Sequence, residues 1–431
     1  MKKLVVVFVL VLSLASPGIA ANVDTMGIGA KATALGGAYS AYADDPYAVY
    51  YNPAGLTQIS TPVVSGGLFA MKPTLRYDDL TVDQDNTTIL GPQSYTERFD
   101  PLYVPHLGAA YPISKCLVFG IALYAPYGLD LEWSDNPVEN PGAYSAFHTL
   151  YARAVITPAL GYQINDTLSV GAGISLGRSE MVAEKVLFGS ELMLGSQTQI
   201  TLDMMDDLNY SFNVGLMYHP EDCLFLGITY RSKADAVFEG AVELNGIDTG
   251  IDVRSHFDHP EQLQGGFRYI TPHNVSLSMD LTWTRWSIQG DQVGVFSAPL
   301  LGLFPEARYE RDWNDTIQLR MGAEWHVSDM LDLRAGYFYD PSPITDGTFD
   351  FGWPDADRQT YSLGSGVHLG NWTIDSVIQY FTAESDREIG GESSNLNESF
   401  QDLNPATTEL ASIKADGFMW AAGMTVSYKF P

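Results

Sequence analysis

The 431 residues carry 52 acidic and 23 basic side chains, a net charge of −29 that excludes a nucleic-acid binder, whose phosphate contacts need a basic face. With 45% hydrophobic residues and 24 tyrosines the chain is not a disordered polyelectrolyte either. Mean hydropathy is −0.04 and the one apolar run long enough to span a bilayer as a helix lies at the extreme N-terminus, so a helical membrane protein is excluded too.

That first run begins with Lys2 and Lys3, continues through the apolar stretch Leu4 to Leu14, and ends on the small residues Gly18-Ile19-Ala20. It reads as a secretory signal over residues 1–20, cleaved after Ala20, of a chain exported by a bacterium. Residues 21–60 are rich in Gly and Ala and too few to form a domain. From about residue 60 onward, residues alternate with period two. In Val275 to Trp283 the side chains of Val275, Leu277, Met279, Leu281 and Trp283 share one face, and Ser276, Ser278, Asp280 and Thr282 share the other. The same division runs through Leu168 to Gly177, Ile317 to Val327 and Leu331 to Asp340.

A soluble sandwich would alternate as well, so loop lengths decide. Tight turns lie at 112–115, 164–166, 219–222, 271–273, 326–329 and 369–371. Between them fall longer, polar, acidic connections near 73–100, 127–149, 180–206, 232–258, 287–312, 340–360 and 383–416. Strict alternation of short and long connections belongs to a transmembrane β-barrel with short periplasmic turns and long outer loops. Six turns each join two strands and one strand stands at each end, which predicts an all-β, antiparallel barrel of about fourteen strands over 61–431. The first strand is expected to start near Thr61 and the last to run from Phe418 to Phe430. Residues 21–60 then become an N-terminal hatch that plugs the lumen. Cys116 and Cys223 fall at the starts of the third and seventh strands, about 19 Å apart at ~4.8 Å per strand, too far for a disulfide.

Several motifs follow one another in order: Gly36-Gly37-Ala38, Asn52-Pro53-Ala54-Gly55-Leu56, Pro126-Tyr127-Gly128-Leu129, Thr229-Tyr230-Arg231-Ser232, Thr282-Trp283-Thr284-Arg285-Trp286-Ser287, Leu333-Arg334-Ala335-Gly336-Tyr337 and Asp340-Pro341-Ser342-Pro343-Ile344. In these the chain resembles the FadL/TodX outer-membrane transporters of hydrophobic compounds, such as long-chain fatty acids and small aromatics, over nearly the whole mature length. The resemblance implies a fourteen-stranded barrel with a hatch, a hatch kink at Asn52, Pro53 and Ala54, a hydrophobic site among the outer loops, and sideways exit at a kink in the third strand. In this sequence that strand is Cys116 to Pro126, where Gly120 and Pro126 are the candidates for an opening. The apolar loop residues Val186, Leu187, Phe188, Leu192, Met193, Leu194 and Phe238 are the candidate ligand contacts, and Arg178 is a candidate for a ligand headgroup.

The charges expected to face inward, Arg153, Asp280, Arg320, Glu324, Asp332 and Arg334, read first as pairs across the wall or as pins for a plug. His256, Asp258 and His259 form no ligand spacing and read as a solvated loop. No Gly-x-Ser-x-Gly turn or inward serine–histidine pair marks a hydrolase. The expectation is passive uptake of hydrophobic small molecules without cofactor, metal or catalysis, by a monomer set in outer-membrane lipid and lipopolysaccharide. The alternatives are a general porin for polar solutes and, further off, an outer-membrane lipid hydrolase.

Overall fold

The computed structural model describes residues 27–383, 387–401 and 409–431; the signal segment and residues 21–26 of the hatch lie outside the described residues. Fourteen strands make one closed antiparallel wall: β1 Val63–Gln84, β2 Leu102–Pro112, β3 Leu117–Glu132, β4 His148–Asn165, β5 Leu168–Leu187, β6 Thr198–Glu221, β7 Leu224–Arg231, β8 Gln262–Ile270, β9 Val275–Thr284, β10 Thr316–Ser328, β11 Leu331–Asp340, β12 Arg358–Leu369, β13 Trp372–Ala383 and β14 Glu409–Lys429. Each pairs with the next in chain order, and β14 closes on β1 from Val63↔Lys429 to Gln84↔Glu409. All six expected tight turns fall between strands on one rim, with both chain ends of the wall beside them.

The face pattern settles barrel against sandwich. Along β10, Ile317 is 60% exposed while Gln318 and Arg320 on the opposite face are 1% and 6% exposed. Apolar residues point out and polar residues point in, the inverse of a soluble sheet and the pattern that hydrocarbon on one side demands. Leu107, Leu123, Ile156, Ile174, Ile228, Leu281, Leu363 and Ile378 continue the outward aliphatic surface around the wall.

Two expectations about boundaries are corrected. The last strand begins at Glu409, not Phe418, because its ladder with β1 continues well past the length a bilayer requires. A tilted strand crosses in about 9–11 residues, and β1, β6 and β14 have 22, 24 and 21. The polar outer connections are also largely β-structure rather than loop. Thr87–Arg98 folds back on β1, and β5 and β6 rise together to a short helix at Ser190–Leu194. Beside β6 stand two hairpins, Val237–Leu244 with Ile247–His256 and Gln292–Leu300 with Phe304–Tyr309, joined by the pairing Val253↔Phe296. Such ribbons satisfy their backbone groups internally, so acidic side chains can cover them without disrupting the fold.

The lumen holds two apolar layers. The outer one is aromatic, including Trp133, Phe147, Tyr151, Phe257, Trp313 and Trp353. The inner one is made by the hatch, whose Leu35, Tyr39, Tyr47, Tyr51 and Leu56 pack against Ala110, Val118 and Ala122 of the wall. Cys116 and Cys223 sit one residue before β3 and β7, and both are free. Alkylation of the unfolded protein without reductant is therefore expected to label both thiols, as read by intact mass.

Candidate functional site

The hatch turn is built around one amide. Asn52 is extended and caps the short 3-10 helix Pro53–Gln58, its Oδ1 accepting from the Ala54 N–H at 3.0 Å. Its Nδ2 donates to the carbonyls of Ser40 in the hatch at 2.7 Å and Leu216 in β6 at 3.1 Å. Asn52 thus ties the turn to itself, to the rest of the hatch and to the wall. The wall makes room with glycine: a Cβ on Gly215 would lie 2.0 Å from Asn52 Oδ1, and one on Gly171 2.3 Å from the Pro53 carbonyl carbon.

Inward charges hold the hatch from other sides. Asp280 accepts from the Ser40 N–H at 2.9 Å and from Gln264 at 2.7 Å. Glu324 lies between Arg268 and Arg334, each at 2.6 Å, and Arg334 reaches Asp375 at 2.6 Å and Asp332 at 3.3 Å. Arg320 lies over the Phe338 ring at 3.9 Å, and Arg153 donates to Asn209 at 2.8 Å and Ser211 at 3.1 Å. All six predicted charges face inward and are buried. Their main partners are wall and hatch, as charges withdrawn from water require.

Above the hatch, a cavity of about 310 Å³ opens among the outer ribbons. Val186, Leu187 and Phe188, predicted as contacts, line it together with Met204, and with Phe296 and Leu300, which alternation alone did not single out. Arg311 and Asp350 pair at 2.6 Å in its wall, both buried, so neither presents an unbalanced charge. Glu398, on the short outer helix Ser394–Ser399, also lines it; burial and then Glu310 raise its carboxyl above the ordinary range, while Lys185 and Arg308 pull the other way. Phe238 lies in the aromatic layer beneath, fully buried. Leu194 is exposed outside the lining. The side chains of Leu192 and Met193 lie outside the described residues. Arg178 is misplaced as a headgroup ligand: it shares the outward parity of Ile174 and Leu176 and contacts Met205 and Asp207 on the outer surface.

Two readings of histidine are corrected. His259 is 1% exposed, not solvated, because its loop folds into the lumen. Its Nδ1 meets Tyr151 Oη at 2.5 Å and its Nε2 meets Ser179 Oγ at 2.7 Å, while the ring stacks on Tyr127. An inward serine–histidine pair therefore exists. Its third member is a tyrosine rather than a carboxylate, and Ser179 is fully covered, so this geometry offers no reachable nucleophile. Among the described residues no three His, Cys, Asp or Glu side chains gather as a metal site.

The wall is interrupted between β2 and β3. The β2–β3 ladder runs from Pro112↔Val118 to Leu107↔Leu123 and stops there, although both strands continue. Extending the register puts Pro105 opposite Ala125 and Val104 opposite Pro126, so two successive steps each lack a backbone donor. The β3–β4 register also slips by one residue between Tyr124 and Tyr127, a bulge at Ala125-Pro126. Pro126 thus lies at the interruption of the ladder. Gly120 does not: it is paired on both sides, with Ala110 and Ala159. It faces the hatch, where a Cβ would lie 2.7 Å from Leu56 Cδ2 and 2.9 Å from Val49 Cγ1. Its missing side chain admits the hatch rather than loosening the wall.

The family model described as "Outer membrane protein transport protein (OMPP1/FadL/TodX)" matches residues 9–430. The chain belongs to this family. It is an outer-membrane β-barrel of the transport class. Relatives in the family include the long-chain fatty acid transport protein of Escherichia coli strain K12, 23% identical with 93% of each chain covered. Another is outer membrane protein P1 of Haemophilus influenzae, 23% identical with 77% of this chain and 79% of that one covered. Among solved structures, a Pseudomonas aeruginosa FadL homologue superposes with a TM-score of 0.80 at 19% identity, covering 96% of this chain and all of that one. The Pseudomonas putida toluene transporter TodX gives 0.68 at 16% identity, with 94% and 99% covered. These structures share the barrel fold; the wall break and the cavity above are features of this chain's own residues.

Two outcomes follow for the hatch. Asn52→Ala leaves buried carbonyls unpaired, costing about 1–3 kcal/mol, and is expected to lower the thermal midpoint and raise open-channel events in planar bilayers. Gly120→Val overpacks the hatch by about 1–3 kcal/mol and is expected to lower the midpoint similarly, measured by the heat-induced mobility shift on gels.

Proposed function

We propose that the protein carries hydrophobic small molecules, fatty acids or hydrocarbons, passively across the outer membrane into the bilayer, without a cofactor and without catalysis. Molecules bind in the cavity among the outer ribbons, with Val186, Leu187 and Phe188 among the contacts. They pass the hatch near Asn52, Pro53 and Ala54 and leave sideways at Pro126. The protein works as a monomer, its wall in lipid and its outer ribbons among lipopolysaccharide.

The observation that carries the reading is the interrupted β2–β3 ladder beside a filled lumen. A greasy molecule released into the aqueous periplasm would expose its apolar surface at a cost of about 25 cal/mol per Å². A sideways path avoids that cost. A hatch that fills the lumen also speaks against a general porin, which needs an open water column.

Filling the gap tests the route. Ala125→Trp is expected to reduce uptake of radiolabelled oleic acid and of an alkane at least tenfold in cells with normal surface levels. Uptake at the wild-type rate would remove the lateral path. For capture, Met204→Asp places a charge in the outer cavity and is expected to weaken binding of a fluorescent fatty-acid analogue about tenfold or more.

A further inference from the structure

We propose that His106 is a docking point, at the break in the wall, for the oxygen-bearing head of an apolar chain. This rests on the lateral-exit reading and adds the chemistry of what passes: amphiphiles with one terminal acceptor, of which carboxylic acids and alcohols are the simplest.

A small cavity of about 30 Å³ lies at the break, lined by Ile28, Phe69, Met71, Val104, Pro105 and Tyr124 besides His106. That space suits a head group, not a chain. Tyr124, the other hydrogen-bonding side chain there, has its hydroxyl engaged with Thr157 at 2.9 Å. His106 is 2% exposed, and its Nδ1 has no partner among the described residues. The tautomer is assigned from the other side of the ring. Thr425 Oγ1 accepts the Ala30 N–H at 2.9 Å and lies 2.8 Å from His106 Nε2; it has no other acceptor for its own proton among the described residues, so we assign that proton to Nε2. The imidazole proton then sits on Nδ1, which becomes a buried donor in need of an acceptor. Tyr47, whose ring meets His106 edge-on at 5.2 Å, holds a second buried oxygen without a partner among the described residues.

The ring is held in place rather than loosely placed. Phe69 lies 5.1 Å away, and a Cβ on Gly67 would come within 2.5 Å of Nε2. Extending the register puts His106 opposite Tyr124, the first step beyond the last ladder pair. A head bound there leaves its chain free to lie along Leu107 and Leu123, which face the bilayer and are 55% and 45% exposed. A plain hydrocarbon has no acceptor to offer Nδ1; an acid or alcohol has one.

The test uses the full-length protein in nanodiscs with ¹⁵N-labelled histidine, the His106 signal being assigned by its loss in His106→Phe. Adding oleic acid is expected to shift the His106 Nδ1 resonance; n-hexadecane is expected to leave it in place. Oleyl alcohol in a third arm separates a carboxyl requirement from any oxygen head. A shift with hexadecane too means simple filling of the gap, and no shift with any ligand means a water site only; either overturns the proposal. In cells, His106→Phe is expected to cut oleic acid uptake about tenfold, with partial rescue by His106→Asn, which returns a donor near the Nδ1 position. Equal uptake by all three forms also overturns it. A failure of lateral exit reads out separately, as wild-type uptake by Ala125→Trp.

Discussion

A sheet inside a bilayer cannot have an edge, because hydrocarbon offers nothing to a free N–H or C=O. Every major feature of this molecule answers to that condition. Closure of β14 on β1 removes the outer edges. The outward aliphatic residues and inward polar ones follow from which side then meets lipid. The inward charges follow in turn, since a closed wall leaves them a confined interior in which they must find partners, as Glu324, Arg268, Arg334 and Asp375 do. Where the ladder fails, between β2 and β3, prolines on both strands have already removed donors, so a break there leaves fewer groups unsatisfied than it would elsewhere.

The interior is organised by steric fit. Asn52 and Pro53 occupy space that Gly171 and Gly215 leave open, and Leu56 and Val49 do the same against Gly120. A hatch seated in this way fills the lower lumen with a defined surface, whereas the cavity above it is bounded by long ribbons and aromatic rings. The two regions differ in kind. One is a fitted plug; the other is a chamber whose lining mixes methionine and phenylalanine with charged residues such as Arg311, Asp350 and Glu398.

Much of this was legible from the residues. Period two, tight turns and long connections fixed the strand number and the rim on which the turns lie. Asn52 stood out by its neighbour Pro53, and the inward charges by parity. What stayed hidden depends on partners distant in the chain. Gly120 could be read as a hinge because nothing in its neighbourhood shows that Leu56 lies against it. Arg178 looked like a headgroup ligand because its position near the top of β5 was visible and the face it takes in the long outer ribbon was not. The pairing of Ser179 with His259 joins β5 to a loop 80 residues on. Pro105 and Pro126 were both in view, but only the register places them at neighbouring steps.

The hatch has one more consequence, for assembly. Its contacts span most of the chain: Ala30 bonds to Thr425 across 395 positions, Ser40 to Asp280 across 240, and Asn52 to Leu216 across 164. The segment is therefore made first and completed last. Until β14 is present, the Ala30 N–H lacks its Thr425 acceptor, and contacts of such separation form slowly. Closing the wall and seating the plug are thereby coupled, since the last strand supplies one of the hatch's own partners.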